Sequence, residues 1–351
     1  MSSAADLRAD EAAWDAFVAA AAAPSFLQAS PWAGVKRPNG WRAARIAVDG
    51  PDGPIGAQVL VRRPQPLPKG FGYAPRGPLA LGSIGPAGLR AFTEAARNAA
   101  PGLGIAHLRI DPEIEDPAGE VAAALRQLGW RPAPEIQPQR TRVIDLDRSE
   151  EELWRDLRRK TRQTVGRAER HGVTVVEGGA DRLSDFHAVV EGTMDRVGLP
   201  YRSEGFFRDL WSAYGPGGHA LLMLAEGPDG AVLSGSLLVG WGPRIVALYG
   251  GTSAEGRRVD AKYALNWAIL RRAQALGYRL YDAWGLPNPG IAQFKAGWGG
   301  REVEYVGAWD LVVDPLGRQV FETAVRARGV VNRLRRRFGG AGHAEDASGA
   351  A

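Results

Sequence analysis

The chain has 351 residues, 45% of them apolar and 24% charged, a globular composition with room for two compact domains. It contains no cysteine, which excludes disulfides, thiolate nucleophiles and cysteine-ligated metals, and its five histidines are too scattered to favour a histidine metal site. The net charge is +5, and only five of the 44 basic residues are lysines, at positions 36, 69, 160, 262 and 295. Lysine is not interchangeable with arginine where a compact donor is needed, so Lys36 and Lys295 are the first candidates.

The N-terminal residues are acidic, and no apolar run approaches the roughly 20 residues of a membrane span. A cytoplasmic protein is therefore expected, and contact with the inner face of the plasma membrane stays open.

The first 145 residues predict mixed α/β structure. Helices are predicted over 6–22, 87–99 and 118–128, and strands over 41–48, 56–63, 106–110 and 141–147. Asp111 directly follows a predicted strand, where α/β sheets usually gather ligands. An aspartate there could hold an ammonium group or accept its proton, and an Asp-Pro turn is the alternative.

The second half begins with a predicted helix over 149–172, opened by a Ser149–Glu152 capping box. The helix carries seven basic residues, and the face containing Arg158, Arg159, Lys160 and Arg162 could contact a polyanion such as a tRNA backbone. The alternative is an ordinary solvated helix face in an arginine-rich protein.

The elements that follow have a recognisable order. They are a strand over 173–177, helices over 183–196 and 204–214, strands over 220–225, 231–241 and 244–249, a helix over 261–276, and a strand over 278–284. Antiparallel strands, a polar loop, a long helix and a further strand are the order of the acyltransferase fold, which opens a V between two strands for an acyl donor. Both halves share this order, which suggests an internal duplication.

Lys295 lies in a segment dense in glycine and aromatic residues, Gln293-Phe294-Lys295-Ala296-Gly297-Trp298-Gly299-Gly300. Glycine lets the backbone approach a ligand, aromatic rings exclude water, and a lysine stabilises negative charge on a carbonyl oxygen. The alternative is a surface lysine on a turn. Lys36, next to Arg37, could bind phosphate, or it could end a solvated helix.

Two further groups are candidates. Arg196, Tyr201 and Arg202 could form a polar clamp, with salt-bridged surface arginine as the alternative. Tyr249 ends a predicted strand before two glycines, and it either belongs to the core or lines a cleft.

Several of these segments together resemble the FemABX family of non-ribosomal peptidyl transferases. The matching segments are Gln28…Trp32…Lys36 with Gly40-Trp41, Tyr73-Ala74-Pro75-Arg76-Gly77-Pro78, Ile110-Asp111-Pro112, residues 158–172, Gly192-Thr193…Arg196, Leu248-Tyr249-Gly250, and Phe294-Lys295…Trp298-Gly299-Gly300. The resemblance implies an α/β (α+β) fold with two tandem GNAT-like acyltransferase domains and no coiled-coil arm. The implied domains are 1–145 plus 311–338, and 146–310, with 339–351 as a disordered tail.

The resemblance also implies an activity. Such enzymes transfer an amino acid from an aminoacyl-tRNA to the side-chain amine of the stem peptide of a peptidoglycan precursor, either UDP-MurNAc-pentapeptide or lipid II. The donor ester is already activated, so no cofactor, metal or covalent intermediate is required. A monomer is expected.

The same resemblance implies roles for single residues. Lys36 and the region from Arg196 to Arg202, with Tyr201, would hold the pyrophosphate of the precursor, and Arg76 would contact the substrate. Tyr249 would line the cleft and Asp111 would lie near the attacking amine. Phe294 and Lys295 would sit at the reacting carbonyl.

Two other functions compete with this one. An acyl-CoA-dependent GNAT N-acyltransferase would need a glycine loop that cradles a pyrophosphate before the helix at 261, but the glycines there are out of place and Asp260 would repel phosphate. A non-enzymatic RNA-binding protein would explain the basic helix, yet no exposed aromatic residues alternate with basic ones for base stacking.

Overall fold

Two mixed β-sheets, each of seven strands among the described residues, organise the chain. The computed structural model describes residues 3–338, and their side chains as far as residue 326. The described residues form two compact units: unit 1 comprises residues 3–139 and 304–338, and unit 2 comprises Arg140–Val303.

Unit 1 is built on the first sheet. Its strands are β1 (Arg42–Gly50), β2 (Gly53–Arg62), β3 (Gly70–Ala74), β4 (Leu79–Ala80), β5 (Ile105–Ile110), β6 (Trp130–Ala133) and β14 (Ala308–Val312). Its helices are α1 (Ala4–Ala9), α2 (Glu11–Ala20), α3 (Pro31–Lys36), α4 (Pro86–Leu103), α5 (Glu120–Gln127) and α13 (Pro315–Phe338). The strand order is β1-β2-β3-β5-β14-β6, with β4 beside β2, and β3 runs parallel to β5.

Unit 2 is built on the second sheet. Its strands are β7 (Arg140–Asp145), β8 (Thr174–Gly178), β9 (Ala220–Glu226), β10 (Val232–Trp241), β11 (Arg244–Thr252), β12 (Leu280–Asp282) and β13 (Arg301–Glu304). Its helices are α6 (Glu150–Asp156), α7 (Arg159–Arg170), α8 (Leu183–Val197), α9 (Glu204–Tyr214), α10 (Ala254–Arg258), α11 (Ala261–Ala275) and α12 (Pro289–Ala296). The strand order is β13-β7-β12-β11-β10-β9-β8.

Both units place a helix between two parallel strands, β3-α4-β5 in unit 1 and β11-α11-β12 in unit 2. The shared order agrees with the duplication expected from the sequence. Residues 180–260 contain α8, α9, α10 and three strands with no long helical arm, as predicted.

Strands β11 and β12 open a V in unit 2. They pair in parallel only from Arg244–Leu280 to Val246–Asp282, whereas β11 continues to Thr252. The register of β10 against β11 shifts between Leu237 and Leu238, which marks a bulge beside the opening. The unpaired end of β11 therefore borders a gap that other side chains can enter.

Two expectations about elements were wrong, and one helix was not predicted. Residues 6–22 form two helices, because Asp10 accepts hydrogen bonds from the first amides of α2. Residues 149–172 form α6 and α7 with an extended break at Leu157 and Arg158, where the Arg158 amide donates to the carbonyl of Gly297 at 3.0 Å. The Ser149–Glu152 capping box is present. Residues 289–296, for which the sequence predicted no helix, form α12, which the Asn288 side chain caps.

The strand pairing differs from the expected boundaries at residues 145 and 310. Strand β7 pairs with β12, and so it belongs to the sheet of unit 2, while β14 pairs with β5 and β6 in unit 1. The predicted tail, 339–351, lies outside the described residues. Within residues 3–338, no helix combines the length and the apolar content that crossing a bilayer requires.

Candidate active site

The floor of the V is fixed by a buried ion pair at the end of β12. Asp282, fully buried, accepts hydrogen bonds from Thr141 Oγ1 at 2.5 Å, from the amide of Trp284 at 2.7 Å and from the Arg244 guanidinium. Burial alone would raise the pKa of Asp282, but Arg244 and the hydrogen bonds hold it below its ordinary value. A charged carboxylate therefore anchors the start of the following loop.

That loop adopts a strained turn at Trp284, whose φ of +55° lies in the left-handed region. The turn aims the carbonyls of Trp284 and Gly285 at one point, where both accept hydrogen bonds from Lys295 Nζ, the second at 2.6 Å. Lys295 is thus held by backbone oxygens rather than by a direct ion pair.

Lys295 is partly buried at the end of α12, and burial lowers its pKa to about 8 although the charge of Asp282 opposes the change. The ring of Phe294 packs on Tyr263 at 5.4 Å and on Trp298 at 6.1 Å between centroids. The predicted combination of a lysine with aromatic walls is present.

A second lysine reaches the V, and the sequence reasoning had not selected it as a site residue. Lys262, in the first turn of α11, donates from Nζ to Ser236 Oγ at 2.9 Å. A Cβ on Gly250 would lie 3.1 Å from this Nζ, so glycine at 250 leaves room for the ammonium group. Burial, and then the charge of Lys295, lower the pKa of Lys262 to about 8.

Tyr249 and Arg202 lie on the other face of the second sheet. Side chains alternate along a strand, and Gly250 faces Lys262, so its neighbour Tyr249 points toward α9. Its ring packs on Phe206 and Phe207 at 5.7 and 5.2 Å, and a hydrogen bond joins it to Arg202. The structure brings Tyr249 and Arg202 together, apart from the lysine pair.

Tyr201 and Arg196, the other two members of the predicted clamp, have different surroundings from Arg202. Tyr201 donates to Glu191 Oε1 at 2.5 Å, which raises the pKa of Tyr201 to about 12. Arg196 is exposed in the last turn of α8.

The basic face of α7 divides into exposed and structural groups. Arg158, Arg159 and Lys160 are exposed at the start of the helix. Arg162 is half-buried, and its guanidinium donates to the carbonyls of Trp154, Arg155 and Leu157, which end α6. Three of the four predicted polyanion contacts are therefore presented to solvent, and Arg162 closes a helix end.

In unit 1, Asp111 is the centre of a buried polar network. It accepts hydrogen bonds from Tyr73 Oη and from the Arg76 amide, both at 2.6 Å, and another from the backbone of Gln137. Burial is the main reason that the pKa of Asp111 is raised. These bonds tie β3 and the loop that follows it to the segment at Gln137.

Arg76, expected to contact substrate, is 1% exposed and points into unit 1. Its Nε lies 3.1 Å from Glu113 Oε1, and its guanidinium donates to the carbonyl of Pro138 at 2.8 Å and covers the ring of Tyr305. In this conformation Arg76 supports the loop. Lys36 ends α3, is buried, and places Nζ 5.1 Å from the ring centroid of Trp32.

The described residues contain no cluster of three or more histidine, cysteine, aspartate or glutamate side chains placed to bind a metal. The groups described around the V are the ammonium groups of Lys262 and Lys295, backbone carbonyls and aromatic rings.

Solved structures share this fold. A crystal structure of FemX superposes with a TM-score of 0.80 at 23% identity, covering 89% of this chain and 98% of that one. A tandem GNAT protein from the clavulanic acid biosynthesis pathway superposes with a TM-score of 0.50 at 15% identity, covering 84% and 90%. The two units are thus tandem GNAT-like domains, the fold class predicted from the sequence.

Sequence comparison gives the family. The FemAB family model matches residues 120–228 and 225–326. The lipid II:glycine glycyltransferases of Staphylococcus saprophyticus and Staphylococcus aureus are each 25% identical over 88% of this chain and 93% of their own length. The chain belongs to the FemAB family and is a transferase, which confirms the resemblance seen in the sequence.

Proposed function

We propose that the chain, acting as a monomer, transfers an amino acid from an aminoacyl-tRNA to the side-chain amine of the stem peptide of a peptidoglycan precursor. The names of the relatives, lipid II:glycine glycyltransferase, support this reaction class and favour lipid II over UDP-MurNAc-pentapeptide as acceptor. Both precursors contain a diphosphate, for which Arg202 in unit 2 remains the proposed contact.

The proposal rests on the position of Lys295 in the V of unit 2, where the carbonyls of Trp284 and Gly285 hold its ammonium group. The acceptor nitrogen bonds to the ester carbonyl carbon, and the π electrons move to the oxygen. The oxyanion then collapses, the bond to the ribose oxygen breaks, that oxygen takes a proton, and the nitrogen loses one. A partly buried ammonium group that donates to two carbonyls keeps a third N–H to direct at the oxyanion.

The aminoacyl-tRNA donor is favoured over acyl-CoA by two features of unit 2. The exposed Arg158, Arg159 and Lys160 offer three cations at a helix N-terminus, a favourable site for phosphates. At the start of α11, where a GNAT enzyme would bind the CoA pyrophosphate, Asp260 supplies a carboxylate that pairs with Arg167.

Peripheral membrane contact would suit a lipid-linked acceptor. Helix α13 exposes Leu316 and Val320, which are 76% and 49% accessible and one helical turn apart. The sequence from 325 to 338 adds six arginines, which favour an anionic surface. Co-sedimentation with phosphatidylglycerol vesicles, weakened by Leu316→Ser with Val320→Ser, is the expected result. Equal binding to neutral vesicles would contradict it.

The test is an incubation of the protein with charged tRNAs and each precursor, analysed by mass spectrometry. The proposal predicts one added aminoacyl mass on the stem-peptide amine, dependent on the charged tRNA. Calorimetry provides the alternative arm: tight binding of acetyl-CoA together with no binding of either precursor would replace the proposal with an acyl-CoA-dependent enzyme.

A further inference from the structure

Lys262 is partly buried in unit 2, and its ammonium group is not paired with a described carboxylate. Its Nζ has a serine hydroxyl as hydrogen-bond partner, and Lys295 is the charge that acts on it. Among the described side chains no carboxylate forms an ion pair with it. Burying an ammonium group without a counter-charge is costly, so proteins seldom keep one unless a ligand supplies the missing charge.

The surroundings keep this group in place. Ser236, 3% exposed, offers its oxygen from β10, and Gly250 on β11 leaves the space that a side chain would fill. Lys295 enters from α12 and is held by the carbonyls of Trp284 and Gly285. Four separate elements, β10, β11, α11 and α12, therefore border the same opening, and Tyr263, next to Lys262, packs on Phe294, next to Lys295, at 5.4 Å between ring centroids.

We propose that Lys262 and Lys295 form one anion site, which binds an anionic oxygen of the donor in the V of unit 2. The proposal deepens the function proposed above and depends on it for the identity of the donor. Two donor oxygens have this chemistry: the oxyanion formed from the ester carbonyl, and a phosphodiester oxygen next to the terminal ribose.

Kinetics of Lys262→Met distinguish these two sources, because methionine keeps the length of the side chain and removes its charge. If the site binds the oxyanion, kcat falls about tenfold or more while KM for aminoacyl-tRNA is unchanged. If it binds the phosphodiester, KM rises and kcat is retained. Lys69→Met, which removes an exposed lysine paired with Asp314, is the matched control. Kinetic constants of Lys262→Met equal to those of the control would overturn the proposal.

Thermal unfolding separates a binding role from a structural one. A ligand site predicts that Lys262→Met unfolds at the same or a higher temperature, because the variant no longer buries an uncompensated charge. A purely structural lysine predicts a lower temperature together with the loss of activity. Lys262→Gln serves as a second neutral variant.

A binding measurement on the unmutated chain needs no transfer reaction. With five lysines, reductive ¹³C-methylation gives a lysine NMR spectrum that single Lys→Arg variants can assign. The proposal predicts that inorganic phosphate raises the pKa of both Lys262 and Lys295 from about 8. Phosphate-independent titration of both groups would refute the anion site even if the chain proves an active transferase, and a phosphate response in an inactive chain would count against the proposed reaction alone.

Discussion

Replacing Asp282 by asparagine tests whether the buried ion pair at the end of β12 shapes the site. The side chains of Arg244 and Asp282 are 5% and 0% exposed, so the remaining guanidinium would lose its carboxylate partner inside unit 2. Breaking such a pair from one side costs about 3–5 kcal/mol, and we expect the lower end because asparagine still accepts from Thr141 and Trp284. The loss of the carboxylate charge would also lower the pKa of Lys295 further, because Asp282 raises that pKa.

Urea unfolding followed by tryptophan fluorescence measures the stability, and transfer assays in native buffer measure the turnover. The expected result is a loss of about 3 kcal/mol in the unfolding free energy of unit 2 and a lower kcat. The double variant Asp282→Asn with Arg244→Met should recover part of the stability but not the turnover, since the negative charge that acts on Lys295 stays absent. A single variant within about 0.5 kcal/mol of the unmutated chain would refute the reasoning.

Three further results are expected. The rate of transfer should decline as pH rises through about 8, because the protonated Lys295 is the active form and burial lowers its pKa to about 8. Initial velocities measure this, and an unchanged rate at higher pH would contradict it. Arg159→Glu with Lys160→Glu should weaken tRNA binding and reduce the salt slope in filter binding by about one to two, whereas Arg162→Ala should lower stability by about 1–2 kcal/mol. Asp111→Asn leaves one buried donor unsatisfied and should cost about 1–3 kcal/mol in chemical denaturation; a loss of kcat without that cost would favour the predicted proton transfer.

Lys295 could be selected as a site residue from the sequence because lysine is rare in this chain and because its neighbours are glycine and aromatic residues. The same rarity applied to Lys262, which was not selected because nothing in its local sequence suggested a site. Its environment is made by Ser236 and Gly250, which are 26 and 12 positions away in sequence. Contacts between separate strands and helices cannot be read from a local pattern.

The element errors have similar causes. No glycine or proline marks the break between α6 and α7, which follows from the bond of Arg158 to Gly297 and from the carbonyl contacts of Arg162. Helix α12 did carry a local signal, because Asn288 followed by Pro289 is a favourable helix start. The surrounding glycines outweighed that signal.

The sequence alone did not show what Arg76 in unit 1 contacts. Arg76 belongs to a matching segment, yet its pairing with the buried Glu113 depends on how β3 and β5 come together. A charged residue in a motif indicates importance, but the sequence does not show whether the charge faces a ligand or another side chain.

The most direct measurement compares Lys295→Ala with the unmutated chain in the transfer of an amino acid from aminoacyl-tRNA to lipid II. Lys69→Ala is the control for losing one positive charge, and calorimetry with lipid II in detergent reports acceptor binding. The account predicts a fall in kcat of about 100-fold or more, with acceptor affinity unchanged. Unchanged turnover in Lys295→Ala would contradict the central role of the ammonium group at Trp284 and Gly285.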